Sequence, residues 1–307
     1  MEDPRSALAF DPSAGTVVRE PEGTGYGFWV GGKVSYDSDS ATFALFYRQR
    51  HPLEHGRAGR CVIAESSDGI VFEDRWEASR DDLNANSIEE GHVVRSDNGW
   101  RAYVSYEVAG SATWRIDVLE APALDAFDAQ GRRTVLHPGD YGLAWIKDPF
   151  VVRREGMWWV YAATNPRTGP VVNGDEITAG PLDATVLAVS HDGLVFPSVR
   201  YVFEAPGDGT WHGNRARINS VFPSSSGYVA TFDGGRTFYD NYEEWAGLAV
   251  SADGIAFTRI VGDEPWAVSP HGCVRYVCAV PCGNAIFLYY EYTRADGSHD
   301  LRVAVVS

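Results

Sequence analysis

Short runs of alternating apolar and polar residues recur along the whole chain, and turn-forming residues separate them. One turn pattern occurs three times after such a run: "SSDGIVF" (Ser66–Phe72), "SHDGLVF" (Ser190–Phe196) and "SADGIAF" (Ser251–Phe257). An Asp-Gly pair between two strand-like runs is a strong signal for a β-hairpin. Successive copies lie 124 and 61 residues apart, which predicts a repeat of about 61 residues with a further copy near residue 130. There, "DAQGRRTVL" supplies a turn and another strand.

A second feature recurs in step with these turns: an inner strand, a turn and a strand rich in aromatic residues. It occurs as "GKVSYDSDSATFALFY" (Gly32–Tyr47), "EGHVVRSDNGWRAYVSY" (Glu90–Tyr106), "DPFVVRREGMWWVYAA" (Asp148–Ala163), "NSVFPSSSGYVATF" (Asn219–Phe232) and "RYVCAVPCGNAIFLYY" (Arg275–Tyr290). Helical periodicity of useful length is lacking, and radial blades are the known fold for such repeats. We therefore expect an all-β, five-bladed β-propeller that occupies residues 1–307 as one domain. The alternative is a sandwich of five loosely similar hairpins.

The two ends of the chain favour a closed ring of blades. The fifth copy stops at "LRVAVVS" (Leu301–Ser307), where other copies continue into the Asp-Gly turn and an outer strand. The N-terminal segment contains a strand-like run, Thr16–Arg19, that precedes the first copy. We predict that this run pairs with Leu301–Val306 as the missing outer strand and closes the ring.

Composition narrows the classes of function. The net charge of −16 argues against nucleic acid and anionic membrane surfaces as partners. Ten Trp and fifteen Tyr exceed the needs of a core of this size, so some of them are expected to line a site. The start "MEDPRSALAF" lacks the basic and apolar regions of a signal peptide, and there is no apolar stretch long enough for a membrane span.

The cysteines point to a reducing compartment. Cys61, Cys273, Cys278 and Cys282 do not have the spacing of zinc ligands, and three of them fall among apolar strand residues. This pattern predicts buried thiols. A cytoplasmic protein is expected.

Polar residues recur at the start of the innermost strands, where a propeller has a funnel-shaped opening. The alignment of the repeats brings these residues to the funnel: Gly32 with Lys33 beside it, Glu90, Asp148, Asn219 and Arg275. Several polar groups that converge on one concavity are typical of a small-molecule site. The alternative is a solvated channel mouth with a Glu–Arg or Asp–Arg pair.

Two carboxylates are the candidate catalytic groups. Glu90 and Asp148 occupy equivalent positions in neighbouring repeats, and Glu89 and His92 flank Glu90. In glycoside hydrolysis one carboxyl group protonates the leaving oxygen, and a second activates water or attacks directly. Crowding and partial burial would raise one pKa into a useful range. We expect the two carboxyl groups to face one cavity about 5–10 Å apart.

Aromatic residues near the funnel are candidates for contact with a sugar ring. Trp29, Trp145 and Trp211 each lie a few residues before an inner strand. These positions are compatible with two roles for the indole rings: stacking on a sugar, or ordinary packing in the core. The segment "YDNYEEW" (Tyr239–Trp245) combines aromatic and acidic residues and is either a rim of the site or a solvated hairpin tip.

Cationic and amide side chains complete the candidate substrate-binding set. Arg217 and Arg275, together with Lys33, would hold an anionic group such as the carboxylate of a uronic acid. They would equally serve to neutralise Glu90 and Asp148. Asn219, with Arg275, would position the substrate.

These features resemble the five-bladed propeller glycosidases, the arabinanases and β-xylosidases of family 43 and their invertase-like relatives in family 32. "IKDPFVV" (Ile146–Val152) is similar to their third-blade IDPxxF segment. The aspartate of that segment tunes a pKa and orients the substrate, and the resemblance implies this role for Asp148. "SPHGCV" (Ser269–Val274) resembles the fifth-blade GHNS segment. Its histidine binds calcium directly or through water in some members, which implies a calcium ion near His271; a plain turn histidine is the alternative. No other cofactor is expected.

The chain departs from the family pattern at two catalytic positions. Family members carry a general-base aspartate at the start of blade one, where "FWVGGKVSY" has glycines and Lys33. Their general-acid glutamate in blade four is replaced by Asn219. The acid and base have either moved to Glu89, Glu90 and Asp148, or the chemistry differs. Three functions stay open: a glycosidase-like enzyme for a small glycoside or oligosaccharide, a non-hydrolytic biosynthetic enzyme on the same scaffold, and a non-catalytic sugar-binding propeller.

Overall fold

The computed structural model consists mainly of antiparallel β-strands, as the sequence pattern predicts. It describes residues 4–57, 59–173, 176–237, 244–260 and 262–307, with the backbone alone for 166–173 and 176–180. The helical elements among these residues are the short helix α1, Pro4–Ala7, and 3-10 turns at Pro12–Ala14, Leu53–His55, Ala129–Gly131 and Pro138–Tyr141. None of these is long and apolar enough to cross a membrane.

The strands fall into five sequential groups, which we call units one to five. Within each unit, neighbouring strands pair antiparallel in chain order. Unit one comprises β2 Trp29–Asp37, β3 Thr42–Arg50, β4 Arg60–Ser66 and β5 Glu73–Ser79, and unit two comprises β6 Ala85–Ser96, β7 Gly99–Val108, β8 Trp114–Ala121 and β9 Arg133–Leu136. Unit three comprises β10 Ile146–Arg154, β11 Met157–Asn173, β12 Glu176–Ser190 and β13 Val199–Glu204. Unit four comprises β14 Arg217–Ser224, β15 Gly227–Gly234, β16 Trp245–Ser251 and β17 Thr258–Ile260, and unit five comprises β18 Val274–Cys282, β19 Ala285–Thr293, β20 His299–Val306 and the N-terminal β1 Thr16–Arg19.

The N-terminal strand β1 pairs antiparallel with the C-terminal strand β20. The register joins Thr16 to Val303 and Val17 to Arg302. This is the pairing that the two chain ends predict. The side chain of Val18 is buried in the hydrophobic core between the sheets, whereas that of Val17 is 38% exposed.

The first strands of the five units lie together at the centre of the molecule. They contact one another in the order β2, β6, β10, β14 and β18, and β18 also contacts β2. Single parallel bridges, Trp245 to Val274 and Trp29 to His299, join units four, five and one into one sheet. Apolar side chains of facing sheets fill the space between the units.

The repeated Asp-Gly turn is a hairpin in each of its three copies, as predicted, and hydrogen bonds explain its sequence. In the first copy, the Gly69 N–H donates to Ser66 Oγ at 2.9 Å, and Asp68 Oδ1 accepts from the Ile70 and Val71 N–H groups. Gly69 has a φ of 73°, a left-handed conformation that glycine adopts without strain. The same bonds recur in the other two copies. Near residue 130, where a further copy was expected, a 3-10 turn leads into β9.

These turns also attach each unit to a neighbour. Tyr289 of unit five donates its hydroxyl hydrogen to the carbonyl of Gly69 at 2.7 Å. Tyr103 makes the same bond to Gly193 at 2.8 Å, and Tyr161 makes it to Gly254 at 2.7 Å. Each Asp-Gly turn therefore also forms a contact with a neighbouring unit, through the tyrosine that binds its glycine carbonyl.

The cysteines are free thiols. Cys61, Cys273 and Cys278 are buried, and Cys282 is partly buried. The prediction of three buried thiols is confirmed.

We predict that β1 is required for a stable fold. Deletion of residues 1–20 exposes the edge of β20 and is expected to lower the melting temperature and cause aggregation. Val18→Asp, which places a charge in the core, should destabilise the protein by about 3 kcal/mol or more, whereas Val17→Asp on the same strand should have little effect. Thermal melting with light scattering measures both. A truncated protein that melts like the full chain would contradict the prediction.

Candidate active site

The candidate site lies where the first strands of the units begin. Four of these strands have a one-residue bulge there: at Glu89–Glu90 in β6, Asp148–Pro149 in β10, Asn219 in β14 and Tyr276–Val277 in β18. Bulges redirect side chains and are frequent beside active sites. Asp148 and Tyr276 have left-handed φ angles of 57° and 52°, which are uncommon for residues other than glycine.

Hydrogen bonds fix the bulge at Asp148 and connect it to Glu90. The Asp148 N–H donates to Ser105 Oγ at 3.1 Å, and the Ser105 hydroxyl donates to the Glu90 carbonyl at 2.6 Å. Lys33 Nζ donates to the carbonyls of Asp148 at 3.0 Å and Pro149 at 3.1 Å. The backbones of the two candidate catalytic residues are therefore joined through one serine.

Lys33 is fully buried, which is rare for a lysine. Burial lowers the pKa of its ammonium group, and the nearby Glu90 and Asp148 oppose that shift. Its hydrogen bonds go to backbone carbonyls of β10, so in this structure Lys33 stabilises the bulge at Asp148.

A glycine makes room for the carboxyl group of Glu90. A Cβ atom on Gly31 would lie 2.9 Å from Glu90 Oε1 and would collide with Glu291 Oε2. The carboxyl groups of Glu90 and Glu291 therefore occupy the space beside Gly31, and a larger residue there would require them to shift. The site therefore has acids from units two and five next to a position where unit one has none.

Glu90 is completely buried and lacks hydrogen bonds to its carboxyl group among the described residues. Arg48 Nε lies 3.4 Å from its Oε1. Burial, aided by Glu291 and Asp148, raises the pKa of Glu90 to about 7 against the opposing charges of Arg48 and Lys33. A carboxyl group with this pKa retains a proton near neutral pH and is able to donate it.

Glu89 lies in a different electrostatic environment from its neighbour. Its Oε1 accepts a hydrogen bond from Arg50 Nη1 at 3.0 Å and lies 3.7 Å from Lys147 Nζ, and its Oε2 lies 3.3 Å from Arg48 Nε. Burial alone would raise the pKa of Glu89, but Arg50, Lys147 and Arg48 hold it well below its ordinary value. Glu89 is thus an ionised partner of these cations, and Glu90 is the one of the two that takes up a proton more readily.

A network of buried ion pairs extends through all five units beside these residues. Its pairs are Arg48–Glu89 (3.3 Å), Arg48–Glu291 (3.2 Å), Arg275–Glu291 (2.5 Å), Arg275–Glu244 (2.8 Å), Arg217–Glu244 (3.3 Å), Arg217–Asp183 (2.7 Å) and Arg215–Asp183 (2.7 Å). Lys147 of unit three adds the contact to Glu89 of unit two. Because an unpaired buried charge is strongly unfavourable, these pairs hold neighbouring units in a fixed arrangement.

Arg217 and Arg275 are both inside this network. Arg217 binds Asp183 and Glu244, and Arg275 binds Glu244 and Glu291, so that Nε and both terminal nitrogens of each guanidinium contact a carboxylate. These direct contacts are with carboxylates other than those of Glu90 and Asp148, the partners that the sequence suggested for neutralisation. Their partners are carboxylates that the repeat alignment did not single out.

The structure corrects the predicted register of unit five. Alignment of the turn glycines made Arg275 the counterpart of Asp148. Gly283, however, is the first residue of its two-residue turn, whereas Gly156 is the second residue of the turn in unit three. The counterpart of Asp148 is therefore Tyr276, one residue further along.

Asp148 and Asn219 bring unpaired polar atoms to the site. Both side chains are buried, and neither the carboxylate of Asp148 nor the amide of Asn219 has a hydrogen bond among the residues that the structure describes. Lys147 Nζ lies 3.6 Å from Asp148 Oδ2. Buried polar groups are almost always hydrogen-bonded, so these atoms mark where water or a ligand binds.

Asp233 is a further buried carboxyl group that the repeat alignment missed. It lies opposite Arg217 on β15, and its Oδ1 accepts a hydrogen bond from the Tyr276 N–H at 3.0 Å. Burial, aided by Glu244, raises the pKa of Asp233 to about 8. The site thus contains a second carboxyl group that is protonated at neutral pH.

His92 contributes to a different cavity, which has a volume of about 290 Å³ and is lined by later residues of the first strands. Its ring stacks on Phe150 at 4.9 Å, and its Nδ1 accepts a hydrogen bond from the Val151 N–H at 3.0 Å. Burial lowers the pKa of His92 to about 3. The imidazole is therefore neutral and connects β6 to β10.

The three predicted tryptophans occupy different environments. Trp145 is half-buried, and its ring lies 5.8 Å from both Lys147 Nζ and the guanidinium carbon of Arg217. Trp29 is buried beside the ion-pair network, and Trp211 is buried in the hydrophobic core. Trp145 is the one of the three with exposed surface next to the site.

His271 lies in an exposed turn, where its N–H donates to Ser269 Oγ at 3.1 Å. In the described part of the chain there is no group of three or more His, Cys, Asp or Glu side chains that could hold a metal ion. Calcium requires six to eight oxygen ligands. Calcium binding near His271 therefore stays a prediction of the family resemblance.

Sequence reasoning missed most of the ion-pair network: Arg48, Arg50, Lys147, Asp183, Arg215, Glu244 and Glu291. One signal was present in "FALFYRQR" (Phe43–Arg50), because arginines in an otherwise apolar strand must be paired or used. Glu244 belongs to the "YDNYEEW" segment, of which residues 239–243 lie outside the described part of the chain.

No protein-family model matches the chain, and no curated protein matches it in sequence. Solved structures of glycoside hydrolases do match it. A glycosyl hydrolase from Bacteroides ovatus is 16% identical, with 99% of this chain and 95% of that chain covered and a TM-score of 0.65. A GH43_1 enzyme from Xanthomonas citri, solved with xylotriose, is 11% identical, with 95% and 91% covered and a TM-score of 0.66.

A third match comes from the GH130 family of mannoside phosphorylases, which contains glycoside hydrolases that target β-1,2 mannosidic linkages in Candida mannan. It is 15% identical, with 93% of this chain and 85% of that chain covered and a TM-score of 0.61. The chain is thus similar in its all-β fold to glycoside hydrolases of families 43 and 130. The resemblance to the propeller glycosidases of family 43 is confirmed at the level of the fold.

We predict that Glu90→Gln stabilises the protein at alkaline pH but not at acidic pH. Folding raises the pKa of Glu90 from 4.5 to about 7, so its protonation favours the folded state. That stabilisation is complete below about pH 4.5 and is lost as the pH rises through about 7. At about pH 8.5 the buried charge should cost the wild type on the order of 1–3 kcal/mol, which the glutamine avoids. Urea unfolding at about pH 5 and pH 8.5 measures the difference.

Glu89→Gln is the matched control for this prediction. Its carboxylate is ionised at both pH values, so the substitution should destabilise the protein at both. A Glu90→Gln protein that is less stable than wild type at about pH 8.5 would show that the charge of Glu90 is well compensated.

Proposed function

We propose that the five units are the blades of a single five-bladed β-propeller over residues 1–307, closed by the pairing of β1 with β20. Support comes from the contacts of the first strands in the order β2, β6, β10, β14 and β18, with β18 against β2. The buried ion pairs between successive units support the same arrangement. The site at the start of these strands is then the axial funnel.

We propose further that the protein is a glycoside hydrolase-like enzyme that acts on a small glycoside or oligosaccharide in this funnel. One observation carries the proposal. Glu90 and Asp148 come from adjacent first strands, are joined through Ser105, and have buried carboxyl groups without hydrogen bonds among the described residues. The pKa of about 7 for Glu90 and the position of Asp148 beside Lys147 give the two groups different properties.

Each carboxyl group then has a distinct task. Glu90 donates its proton to the oxygen of the leaving group. Asp148 is its carboxylate partner and either activates a water molecule or attacks the anomeric carbon directly. Inversion or retention at the anomeric carbon, read by NMR of the first product, distinguishes these two tasks of Asp148.

The half-buried rim of the site suits a sugar. Lys147 Nζ lies 5.1 Å from the ring of Trp114 and 5.8 Å from that of Trp145, so two indoles flank one ammonium group. Aromatic faces stack on the apolar face of a sugar, and the amide of Asn219 offers a donor and an acceptor to its hydroxyl groups. The xylotriose in the GH43_1 structure is consistent with an oligosaccharide ligand here as well.

An anionic sugar is the less supported version of this proposal. The guanidinium groups of Arg217 and Arg275 are engaged by carboxylates. Lys147 is the cation at the half-exposed rim and is already within 4 Å of Glu89 and Asp148. Uronides therefore belong in a substrate screen beside neutral glycosides.

A non-hydrolytic enzyme and a sugar-binding propeller stay as alternatives, and one observation favours them. Unit one offers Gly31, Gly32 and Lys33 where family 43 enzymes have a general-base aspartate, and carboxyl groups of Glu90 and Glu291 occupy the space beside Gly31. Binding of glycosides without release of the aglycone would support these alternatives.

We also propose a cytoplasmic location, for which the free thiols of the four cysteines are the support. A calcium ion near His271 stays a prediction from the family resemblance alone.

We predict that Glu90→Gln and Asp148→Asn each reduce turnover of an aryl glycoside by at least about a hundredfold, because each removes a proton-transfer or nucleophilic group. A panel of p-nitrophenyl glycosides and uronides, followed by absorbance, supplies the substrate. In the wild type, kcat/KM should fall as the pH rises through about 7, because Glu90 then loses its proton. This alkaline limb should be absent from the residual activity of Glu90→Gln.

Glu65→Gln is the matched control, since Glu65 pairs with Arg75 on the surface far from the first strands. Its kinetics and melting temperature should equal those of wild type. If Glu90→Gln and Asp148→Asn keep full turnover and lower only the melting temperature, the two carboxyl groups are structural and the proposed mechanism is wrong.

We predict that Trp145→Ala raises KM for the same substrate about tenfold, with a small change in stability, because it removes a stacking surface at the rim. Trp211→Ala is the contrasting variant. It should leave KM unchanged in the folded fraction and lower the free energy of unfolding by about 3–5 kcal/mol, because Trp211 is buried in the core. Steady-state kinetics and urea unfolding separate the two effects. Equal KM values for Trp145→Ala and wild type would exclude Trp145 from the binding site.

A further inference from the structure

Tyr276 occupies in unit five the place that Asp148 occupies in unit three. Each begins the bulge of its strand, and each has a left-handed φ, 52° and 57°. The N–H of each donates to a side chain of the second strand of the preceding unit: Ser105 Oγ for Asp148, at 3.1 Å, and Asp233 Oδ1 for Tyr276, at 3.0 Å. The fold thus presents the side chain of Tyr276 in the same way as a candidate catalytic carboxylate.

The backbone at Tyr276 is strained, and its surroundings hold it. A left-handed φ is a genuine outlier for a bulky residue, and such conformations cluster at active sites and ligand clamps. The ring of Tyr276 lies close to two guanidinium groups, 5.5 Å from that of Arg48 and 5.1 Å from that of Arg275. Both guanidinium groups are in turn fixed by Glu291. Burial and these two contacts restrict the orientation of the phenol ring.

The hydroxyl group of Tyr276 is left without a hydrogen bond to any described residue. The hydroxyls of other buried tyrosines in this fold are bonded, as Tyr289 is to the carbonyl of Gly69. Burial raises the pKa of Tyr276 well above its ordinary value, and the nearby carboxylates of Asp148 and Glu89 raise it further. The phenol therefore keeps its proton and is available as a hydrogen-bond donor.

We propose that Tyr276 is a further catalytic residue, whose hydroxyl donates a hydrogen bond to a neutral oxygen of the sugar bound between Glu90 and Asp148. This proposal rests on the proposed function for the reaction it serves. The oxygen is neutral because the carboxylates of Asp148 and Glu89, which act on the phenol, would repel an anionic group at the same place. By fixing one sugar hydroxyl, Tyr276 orients the glycosidic oxygen toward Glu90.

The variant Tyr276→Phe tests the proposal, because it keeps the ring beside the two guanidinium groups and removes the hydroxyl alone. We expect kcat/KM for the p-nitrophenyl glycoside that the protein cleaves to fall about tenfold to a hundredfold. The melting temperature should change by no more than about 2 °C. Tyr289→Phe is the matched control: it removes a hydroxyl that binds Gly69 in a neighbouring unit, so it should lower the melting temperature and leave kcat/KM unchanged.

A binding measurement keeps the test independent of hydrolysis. In protein labelled with 3-fluorotyrosine, the ¹⁹F resonance missing from Tyr276→Phe identifies Tyr276. Addition of p-nitrophenyl glycosides to labelled Glu90→Gln protein should shift this resonance. A shift without turnover in the wild type would refute hydrolysis and still support the contact. Wild-type kcat/KM in Tyr276→Phe, or a resonance that no glycoside of the panel moves, would overturn the proposal.

Discussion

The structure depends on the pairing of charged groups that are buried at its centre. Arg48, for example, is completely buried and touches carboxylates from units two and five at once, Glu89 and Glu291. Each such charge is unfavourable away from water unless an opposite charge lies beside it. The first strands therefore have to come together in one arrangement, because any other would leave arginines or carboxylates unpaired. Hydrophobic packing between the sheets stabilises the units, and the charges select how the units meet.

The pairing of buried polar groups is incomplete at the candidate site. Glu89 is surrounded by cations and is ionised, whereas Glu90, the next residue, faces a single arginine at 3.4 Å and retains its proton near neutral pH. Asp148 and Asn219 add polar atoms that no described residue satisfies. In a fold that pairs almost every buried charge, such a local deficit is the expected mark of a ligand site. The rest of the network holds these groups in position.

Much of the fold was predictable because its signals are local. The Asp-Gly turns, the five copies of the inner and aromatic strands and the pairing of Thr16–Arg19 with the C-terminal strand all follow from short patterns. The site was predictable only in part. Glu90 and Asp148 lie on strand starts that the repeat marks, but Arg48 meets Glu291 across 243 residues of chain, and nothing local connects them. The error at Arg275 also has a local cause. The turn glycine of unit five lies one residue earlier in its turn than that of unit three, so alignment of the two glycines displaced the strand by one residue. Arg275 was therefore aligned with Asp148 in place of Tyr276.

Unit one differs from the other units at the start of its first strand, where it has Gly31, Gly32 and Lys33. In unit one, the space beside Gly31 is filled by carboxyl groups from both neighbouring units, Glu90 and Glu291. One of these is neutralised by arginines, and the other keeps its proton. Acidic side chains thus reach this part of the site from the strands of units two and five. Because a fold does not fix the function of its sites, the residues of these units decide what chemistry takes place here.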